Sequence, residues 1–137
     1  ALVAQFAAEV RQHGLESKVS VSTDDAKVVK LVKQALPEST VLAKVNIMYT
    51  LSPSSSIWEL VDKSGADGIS AHFLNVLLHS SLIAEAKQRG SLVFIYTVDS
   101  IYVSNWLECL GVDAILTNKP EKIATAAKCP IAGAYDP

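Results

Sequence analysis

The ten residues GSLVFIYTVD, at positions 90–99, carry the pattern that decides the fold. Gly90 follows a helical pattern, where a left-handed residue commonly ends a helix and turns the chain into a strand. Residues 92–96 are apolar on both faces and mostly β-branched or aromatic, which is typical of a parallel strand covered on both sides. The segment therefore predicts a helix that ends at Gly90 and leads into a buried parallel strand.

The same order of elements recurs along the chain. A glycine follows a helical pattern and precedes an apolar run at Gly14, Gly65 and Gly111 as well. Helical stripes separate the runs, and one helix precedes the first of them. The pattern predicts one helix, then five βα units, then a tail rich in Ala and Pro. The predicted strands are residues 18–22, 41–45, 68–71, 92–96 and 114–116.

Strands that alternate with helices through short loops predict an α/β protein with a parallel sheet. Right-handed crossovers leave two architectures open, a doubly wound sheet and a stretch of barrel. The glycine clusters precede strands and do not follow them, which argues against the phosphate loop of dinucleotide-binding folds. Two helix starts are also predicted: Asp24 caps the first helix after a strand, and Ser80 or Ser81 starts or interrupts a later one.

Composition excludes several classes of protein. The 137 residues carry 12 Lys and Arg against 14 Asp and Glu, so no basic stripe is available to bind nucleic acid. Apolar runs of about six residues are far too short for a transmembrane segment. Cys109 and Cys129 lack CxxC spacing, and we expect two reduced structural thiols, which slightly favours a cytoplasmic location.

The start of the chain is unusual. Met48 is the single methionine, and Ala1 already lies inside a helical pattern. We interpret residues 1–137 as one segment of a longer chain.

Two motifs near the end of the sequence are similar to those of a known family. GSLVFIYTVD at 90–99 and LGVDAILTNKPE at 110–121 resemble the end of the glycerophosphodiester phosphodiesterases, where a strand ends Trp-Thr-Val-Asn and the barrel closes on Gly-Val-Asp-Gly-Ile-Ile-Thr-Asp-Arg-Pro-Asp. VSVSTD at 19–24 resembles the family's strand that ends Ser-Ser-Phe-Asp. The resemblance covers nearly the whole chain and is weakest between Ser39 and Asp62.

The resemblance implies a fold and a reaction. The fold is the C-terminal part of a TIM (βα)8 barrel. The reaction is hydrolysis of a small-molecule glycerophosphodiester to glycerol 3-phosphate and an alcohol, with a divalent metal, Mg²⁺ or Ca²⁺, held by carboxylates. The family's His-Arg, Glu-x-Asp and His-Asp pairs belong to its N-terminal half and have no counterpart here. The metal ligands and catalytic residues are therefore expected in the N-terminal half-barrel of the same chain.

Residues at the carboxyl ends of barrel strands face the active site. That rule predicts a substrate-binding group of Ser22, Lys44, His72, Tyr96 and Asn118. Tyr96 stands where the family has Trp and keeps an aromatic wall, and Lys44 is a candidate contact for phosphate. The alternative for Tyr96 is a core aromatic residue, and for His72 a surface or core histidine.

Other polar residues near these ends have structural explanations. Thr97 and Asp99 are predicted to set the turn and cap the helix that begins after Ser100. Asn118 with Pro120 is typical of a cap followed by proline in the first turn. Asp67 and Asp113 precede strands, so they are predicted at the opposite, structural end of the barrel.

Two classes of function remain open. The first is part of a metal-dependent phosphoric diester hydrolase whose catalytic residues lie outside this segment. The second is a non-catalytic half-barrel module that pairs with itself or with another chain. Asn118 also makes the chain similar to the sphingomyelin-cleaving phospholipases D, which keeps that related substrate class open.

Overall fold

Five parallel strands form a single sheet whose spatial order follows the chain. The computed structural model describes residues 1–124 and Cys129. The sheet order is β1-β2-β3-β4-β5, and each neighbouring pair is parallel. The strands are β1 (Ser20–Thr23), β2 (Thr40–Val45), β3 (Gly68–His72), β4 (Leu92–Tyr96) and β5 (Ala114–Ile115).

Helices occupy the connections between the strands, as the glycine pattern predicts. Gly65, Gly90 and Gly111 each adopt a left-handed conformation at a helix end. One short helix ends at Leu78 and the next begins at Leu82, so the predicted interruption near Ser80 and Ser81 is confirmed. The helices are α1 (Leu2–Gln12), α2 (Ala26–Ala35), a 3-10 helix (Ile47–Leu51), α3 (Ser54–Ser64), α4 (Phe73–Leu78), α5 (Leu82–Arg89), α6 (Ile101–Leu110) and α7 (Pro120–Ile123).

One face of the sheet carries the hydrophobic core. The buried clusters join the helices to alternate residues of β2, β3 and β4, namely Val41, Ala43, Val45, Ile69, Ala71, Val93 and Ile95. The register places Leu42, Lys44, Ser70, Phe94 and Tyr96 on the other face. Sequential strands with helices packed on one face form a stretch of barrel, because a doubly wound sheet reverses its order and covers both faces.

The open face explains a difference from the sequence prediction for β4. Val93 and Ile95 are buried on the helix side, as predicted. Leu92, Phe94 and Tyr96 are only half-buried on the other face by the described residues. Both faces of β4 are apolar because, in a barrel, one face packs against the helices and the other faces the barrel interior. The five strands enclose that interior only in part.

Two predictions about local structure need correction. Asp25, and not Asp24, caps α2, because the Asp25 Oδ1 accepts hydrogen bonds from the backbone N–H of Lys27 at 2.8 Å and of Val28 at 3.4 Å. β5 is also shorter than predicted and ends at Ile115. The predicted Ala- and Pro-rich tail lies outside the described residues, apart from Cys129.

Asp67 and Asp113 lie at the amino ends of the strands, where the sequence analysis predicts structural roles. The Asp67 carboxylate accepts from the backbone N–H of Val41 at 2.8 Å and from the Lys33 ammonium at 2.9 Å. Asp113 accepts from the N–H of Val93 at 2.7 Å. Each carboxylate thus ties the loop before one strand to the amino end of its neighbour.

The prediction of two reduced thiols is wrong. Cys109, at the end of α6, forms a disulfide with Cys129. A spacing of 20 residues carries no sequence motif, so the pairing could not be predicted from the sequence. The disulfide removes the reason for favouring a reducing compartment. Among the described residues, no helix is long and apolar enough to cross a membrane.

Gly68 generates a stability prediction. A Cβ at this position would overlap the backbone of Leu92 on the neighbouring strand. We expect Gly68→Ala to lower the free energy of unfolding by about 2–3 kcal/mol, because β3 and β4 would have to separate. Ser70→Ala, on the same face of the same strand, is the matched control and should cost less than about 1 kcal/mol. Chemical denaturation compares the variants, and equal midpoints for both would contradict the close approach.

Candidate functional site

Three of the five predicted site residues come together at the carboxyl ends of the strands. Tyr96 ends β4 and pairs in register with His72 at the end of β3. The His72 ring meets the Tyr96 ring edge-on, with the centroids 5.9 Å apart. The Lys44 ammonium, from β2, lies over the same ring at 5.5 Å from its centroid. One cation, one imidazole and one phenol therefore share the open face of the sheet.

Tyr96 is held in place by its hydroxyl group. The hydroxyl donates to the backbone carbonyl of Val45 at 3.0 Å, so the ring reaches across β3 to the end of β2. Burial raises the pKa of Tyr96, and the negative charge of Asp24 raises it further. The phenol is therefore neutral at physiological pH, and its proton is engaged with Val45. The ring lies between Lys44 and His72, and the hydroxyl oxygen keeps lone pairs that can accept.

His72 has a structural contact as well as a place in the site. Its Nδ1 accepts from the backbone N–H of Leu74 at 3.2 Å and so caps α4. The ring also stacks on Phe73, with centroids 4.7 Å apart. Because Nδ1 is an acceptor, the neutral ring carries its proton on Nε2. His72 can therefore donate from Nε2 while it caps the helix.

Ser22 does not belong to the same group. It is exposed on the open face, on edge strand β1, and pairs in register with Leu42. Leu42 precedes Lys44 by two residues, so Ser22 lies lower in the sheet than the Lys44–Tyr96 contact. Its predicted contact with substrate stays a prediction.

Asn118 lies on the loop after β5, and it does not cap α7 as predicted. Lys119 occupies the N-cap position of α7, with Pro120 in the first turn. The N–H of Lys119 donates to Thr117 Oγ1 at 3.0 Å, so Thr117 supports the start of the helix. Asn118 instead turns toward Asp99, and its side-chain amide donates to Asp99 Oδ2 at 3.2 Å. The cap prediction for Asn118 is wrong, and its predicted substrate contact stays untested.

Asp99 joins two loops at the mouth of the site. Its Oδ1 accepts from the N–H of Asn118 at 2.8 Å and from the Thr117 hydroxyl at 2.9 Å. Ser100 is the N-cap residue of α6, and no side chain caps that helix. The prediction that Asp99 caps α6 is therefore wrong, because its carboxylate bonds the loop after β5 instead. The hydrogen bond from the Asn118 N–H, then those from Thr117 and the Asn118 amide, hold the pKa of Asp99 below its ordinary value.

The sequence analysis missed two residues that shape the mouth. Asn46 follows β2 and caps the 3-10 helix, its Oδ1 accepting from the Met48 N–H at 2.9 Å. Asn75 is fully buried in α4, and its amide donates to the Asn46 carbonyl at 3.1 Å. An Asn directly after a strand is a readable cap signal. A buried Asn inside a short helix carries no such signal.

The described residues do not fit a divalent metal. Among them, no group of three or more His, Cys, Asp and Glu side chains lies close enough to hold an ion. Divalent Mg²⁺ and Ca²⁺ need several oxygen ligands around one point. Three carboxylates near the strand ends, those of Asp67, Asp99 and Asp113, instead accept hydrogen bonds from backbone N–H groups.

A groove of about 850 Å³ lies at the other end of the sheet. Its lining includes Lys33, Asp67 and Arg89 together with the starts of β2 and β4. Asp67 and Lys33 pair with each other there, and Arg89 pairs with Asp62. The amino ends of barrel strands serve stability, so this groove is not the candidate site.

Sequential parallel strands with helices on one face define a barrel protein of the (βα) class, and the cationic-aromatic group at the carboxyl ends of its strands is the candidate site. Residues 1–122 match the model of the glycerophosphoryl diester phosphodiesterase family. The chain belongs to that family.

Solved structures agree on the fold. A Silicibacter pomeroyi protein described as a glycerophosphoryl diester phosphodiesterase is 22% identical, with a TM-score of 0.71 over 88% of this chain and 42% of that one. A glycerophosphodiester phosphodiesterase from Parabacteroides distasonis is 20% identical, with a TM-score of 0.70 over 88% of this chain and 48% of its own. The chain thus spans about half the length of these neighbours.

A third neighbour holds a ligand. An Oleispira antarctica phosphodiesterase, solved in complex with the product sn-glycerol-3-phosphate, is 20% identical, with a TM-score of 0.65 over 91% of this chain and 50% of its own. No curated protein sequence matches this chain significantly.

The Asp99 link generates a pH prediction. Because the folded pKa of Asp99 is lowered, the link stabilises the loops above the unfolded pKa, near 4, and is lost as pH falls through the lower folded value. We expect the NMR resonance of the Asn118 amide to titrate below pH 4, and Asp99→Asn to abolish the titration. Asp24→Asn is the matched control and should leave it unchanged. A midpoint at the ordinary Asp value would contradict the link.

Proposed function

We propose that this chain forms the substrate-binding side of a phosphoric diester hydrolase that cleaves glycerophosphodiesters to glycerol 3-phosphate and an alcohol. The observation that carries the proposal is the family match over residues 1–122, together with the Lys44, His72 and Tyr96 group at the carboxyl ends of the strands. The product bound by the Oleispira antarctica phosphodiesterase supports the same substrate class.

Each residue of the group has a role in binding. The exposed Lys44 ammonium attracts a phosphoryl oxygen and offers three donors. His72 donates from Nε2 to a second oxygen, because its Nδ1 is engaged by Leu74. The face of the Tyr96 ring is apolar and suits the carbon skeleton of the glycerol moiety. These are binding roles, and none of the three residues is assigned as catalytic.

The acid, the base and the divalent metal belong, in this proposal, to the N-terminal half-barrel of the same chain. The metal, Mg²⁺ or Ca²⁺, would supply charge stabilisation of the phosphoryl group. Two features support this division: the described residues lack a carboxylate cluster, and the chain spans about half the length of its structural neighbours. The remaining strands would join the free edges of β1 and β5 and cover the open face.

The non-catalytic module is the second candidate. Within the part of the chain that the structure describes, β1 and β5 each pair with a strand on one side only, and the other side of each presents backbone groups to another sheet, which supports this candidate. A relative of the sphingomyelin-cleaving phospholipases D would differ in the leaving group and in the lipid recognised at the loop that carries Asn118. Activity measurements separate these candidates.

The division of labour predicts an activity pattern. We expect residues 1–137 alone to show no turnover of a glycerophosphodiester with Mg²⁺ or Ca²⁺ present, because losing a general acid or base costs roughly 10²–10⁴ in rate. The chain extended by an N-terminal half-barrel should be active and should lose activity to a chelator. Turnover by residues 1–137 that resists EDTA would overturn the proposal. An inactive extended chain would favour the non-catalytic module.

The wall role of Tyr96 predicts the kinetics of a variant of the active protein. We expect Tyr96→Ala to raise KM roughly tenfold with little change in kcat, because the ring binds the ground and transition states about equally. Tyr96→Phe is the matched control: it removes the hydrogen bond to Val45 but keeps the ring, and its KM should stay within about twofold of the wild type. An equal fall of kcat and kcat/KM in Tyr96→Ala would mean that the residue acts in the transition state.

A further inference from the structure

Asn75 is a polar side chain in an apolar part of the core. It is fully buried within α4, whose other five residues are all apolar. Asn is a poor helix former, because its side chain competes for backbone hydrogen bonds. Within the part of the chain that the structure describes, its Oδ1 is buried without a hydrogen-bond partner, which costs stability. A residue that breaks local rules in this way is expected at a functional site rather than in a packed core.

The Asn75 amide bonds the end of a neighbouring strand. Its Nδ2 donates to the Asn46 carbonyl at 3.1 Å and lies 3.5 Å from the Val45 carbonyl. Val45 is the last residue of β2, and Asn46 leads into the 3-10 helix. The amide therefore holds the point at which the chain leaves β2 against the first turn of α4.

The three residues of the candidate site are attached to the two elements that Asn75 joins. Lys44 directly precedes Val45 in β2. The Tyr96 hydroxyl donates to the Val45 carbonyl at 3.0 Å. His72 lies three positions before Asn75 and caps α4 through Nδ1. The spacing between the Lys44 ammonium and the His72 ring thus depends on how β2 and α4 meet, and Asn75 makes a hydrogen bond at that contact.

Other contacts also hold α4 in place. Val76 is fully buried in the core, and the His79 ring contacts the Tyr49 carbonyl of the 3-10 helix through Nε2 at 3.3 Å. Neither contact bonds the Asn46 carbonyl, for which Asn75 is the side-chain donor. We therefore expect α4 to stay packed on the sheet without the Asn75 amide. What the amide adds is the alignment of the end of β2.

We propose that Asn75 is a positioning residue of the substrate site: its amide aligns the end of β2 with α4, and so sets Lys44 and His72 at the spacing that holds one phosphoryl group. The inference rests on the proposed function for the identity of that ligand. Asn75 itself is buried and acts through the residues that bind. Misalignment of two donors weakens the binding of substrate and transition state alike, which raises KM without lowering kcat.

The first test uses the Tyr96 ring as a reporter and needs no turnover. We expect Asn75→Leu to stay folded, because leucine has a similar shape and removes the buried oxygen that has no partner among the described residues. Release of the Val45 carbonyl should expose the Tyr96 ring and lower the pKa of its hydroxyl toward the ordinary value, because burial is the main cause that raises it. NMR of tyrosine labelled with ¹³C at the ζ position measures the titration, and Tyr96→Phe assigns the resonance.

Asn105→Leu is the matched control for this titration. Asn105 lies in α6 and also has a buried Oδ1 without a partner, but among the described residues it bonds none of Lys44, His72 and Tyr96. It should leave the Tyr96 titration unchanged. Asn75→Ala removes the amide without adding volume, and it should lower the pKa of Tyr96 in the same direction as Asn75→Leu.

The second test is kinetic and uses the protein that turns over a glycerophosphodiester. We expect Asn75→Leu to raise KM roughly tenfold with kcat within about twofold of the wild type, because Lys44 and His72 lose their mutual alignment. Tyr96→Phe breaks only the hydroxyl bond and should keep KM within about twofold, so the two variants separate alignment of the strand end from loss of one hydrogen bond. Asn105→Leu should change neither constant.

Three results would overturn the inference: an unchanged Tyr96 titration in Asn75→Leu, an equal change in Asn105→Leu, or a fall in kcat at unchanged KM. Failure of both Asn75 variants to fold would make the residue structural and would overturn the inference as well. A protein without turnover would contradict the proposed function, and the Tyr96 titration would still decide whether Asn75 aligns the end of β2.

Discussion

The right-handed crossover between neighbouring parallel strands is the constraint on which the rest of this structure depends. Each connection places its helix on the same side and moves the chain one strand further in the same direction. The apolar alternate residues of the inner strands β2, β3 and β4 are therefore buried under helices, and their neighbours along each strand point to the other face. Lys44, His72 and Tyr96 share that face as a direct result, although Tyr96 lies 52 positions after Lys44 in the chain.

The regular parts of the fold could be predicted because each is encoded locally. Glycines at helix ends and apolar runs located all five strands, and the rule that the carboxyl ends of barrel strands face one site grouped Lys44, His72 and Tyr96. The choice between barrel and doubly wound sheet was not local. It needed either the observed strand order or the family motifs at 90–99 and 110–121.

The loops at the carboxyl ends were predicted less well, because their side chains bond across the sheet rather than along the chain. Asp99 contacts Thr117 and Asn118 on the next loop, where local rules had given it a helix to cap. The Cys109–Cys129 disulfide follows the same pattern, since it joins one helix to a later segment. Asp67 and Asp113 succeeded because the end of the sheet on which they lie follows from strand direction alone.

The Val45 carbonyl connects the candidate site to the surface beside it. It accepts the Tyr96 hydroxyl at 3.0 Å and also lies 3.5 Å from the amide of the buried Asn75. Asn75 in turn holds the Asn46 carbonyl, where the chain enters the 3-10 helix. The Tyr96 ring and the loop that carries Met48 and Leu51 are therefore linked through Asn75 and the consecutive carbonyls of Val45 and Asn46. One carbonyl at the end of β2 thus bonds a residue of the candidate site and a residue of the neighbouring helix.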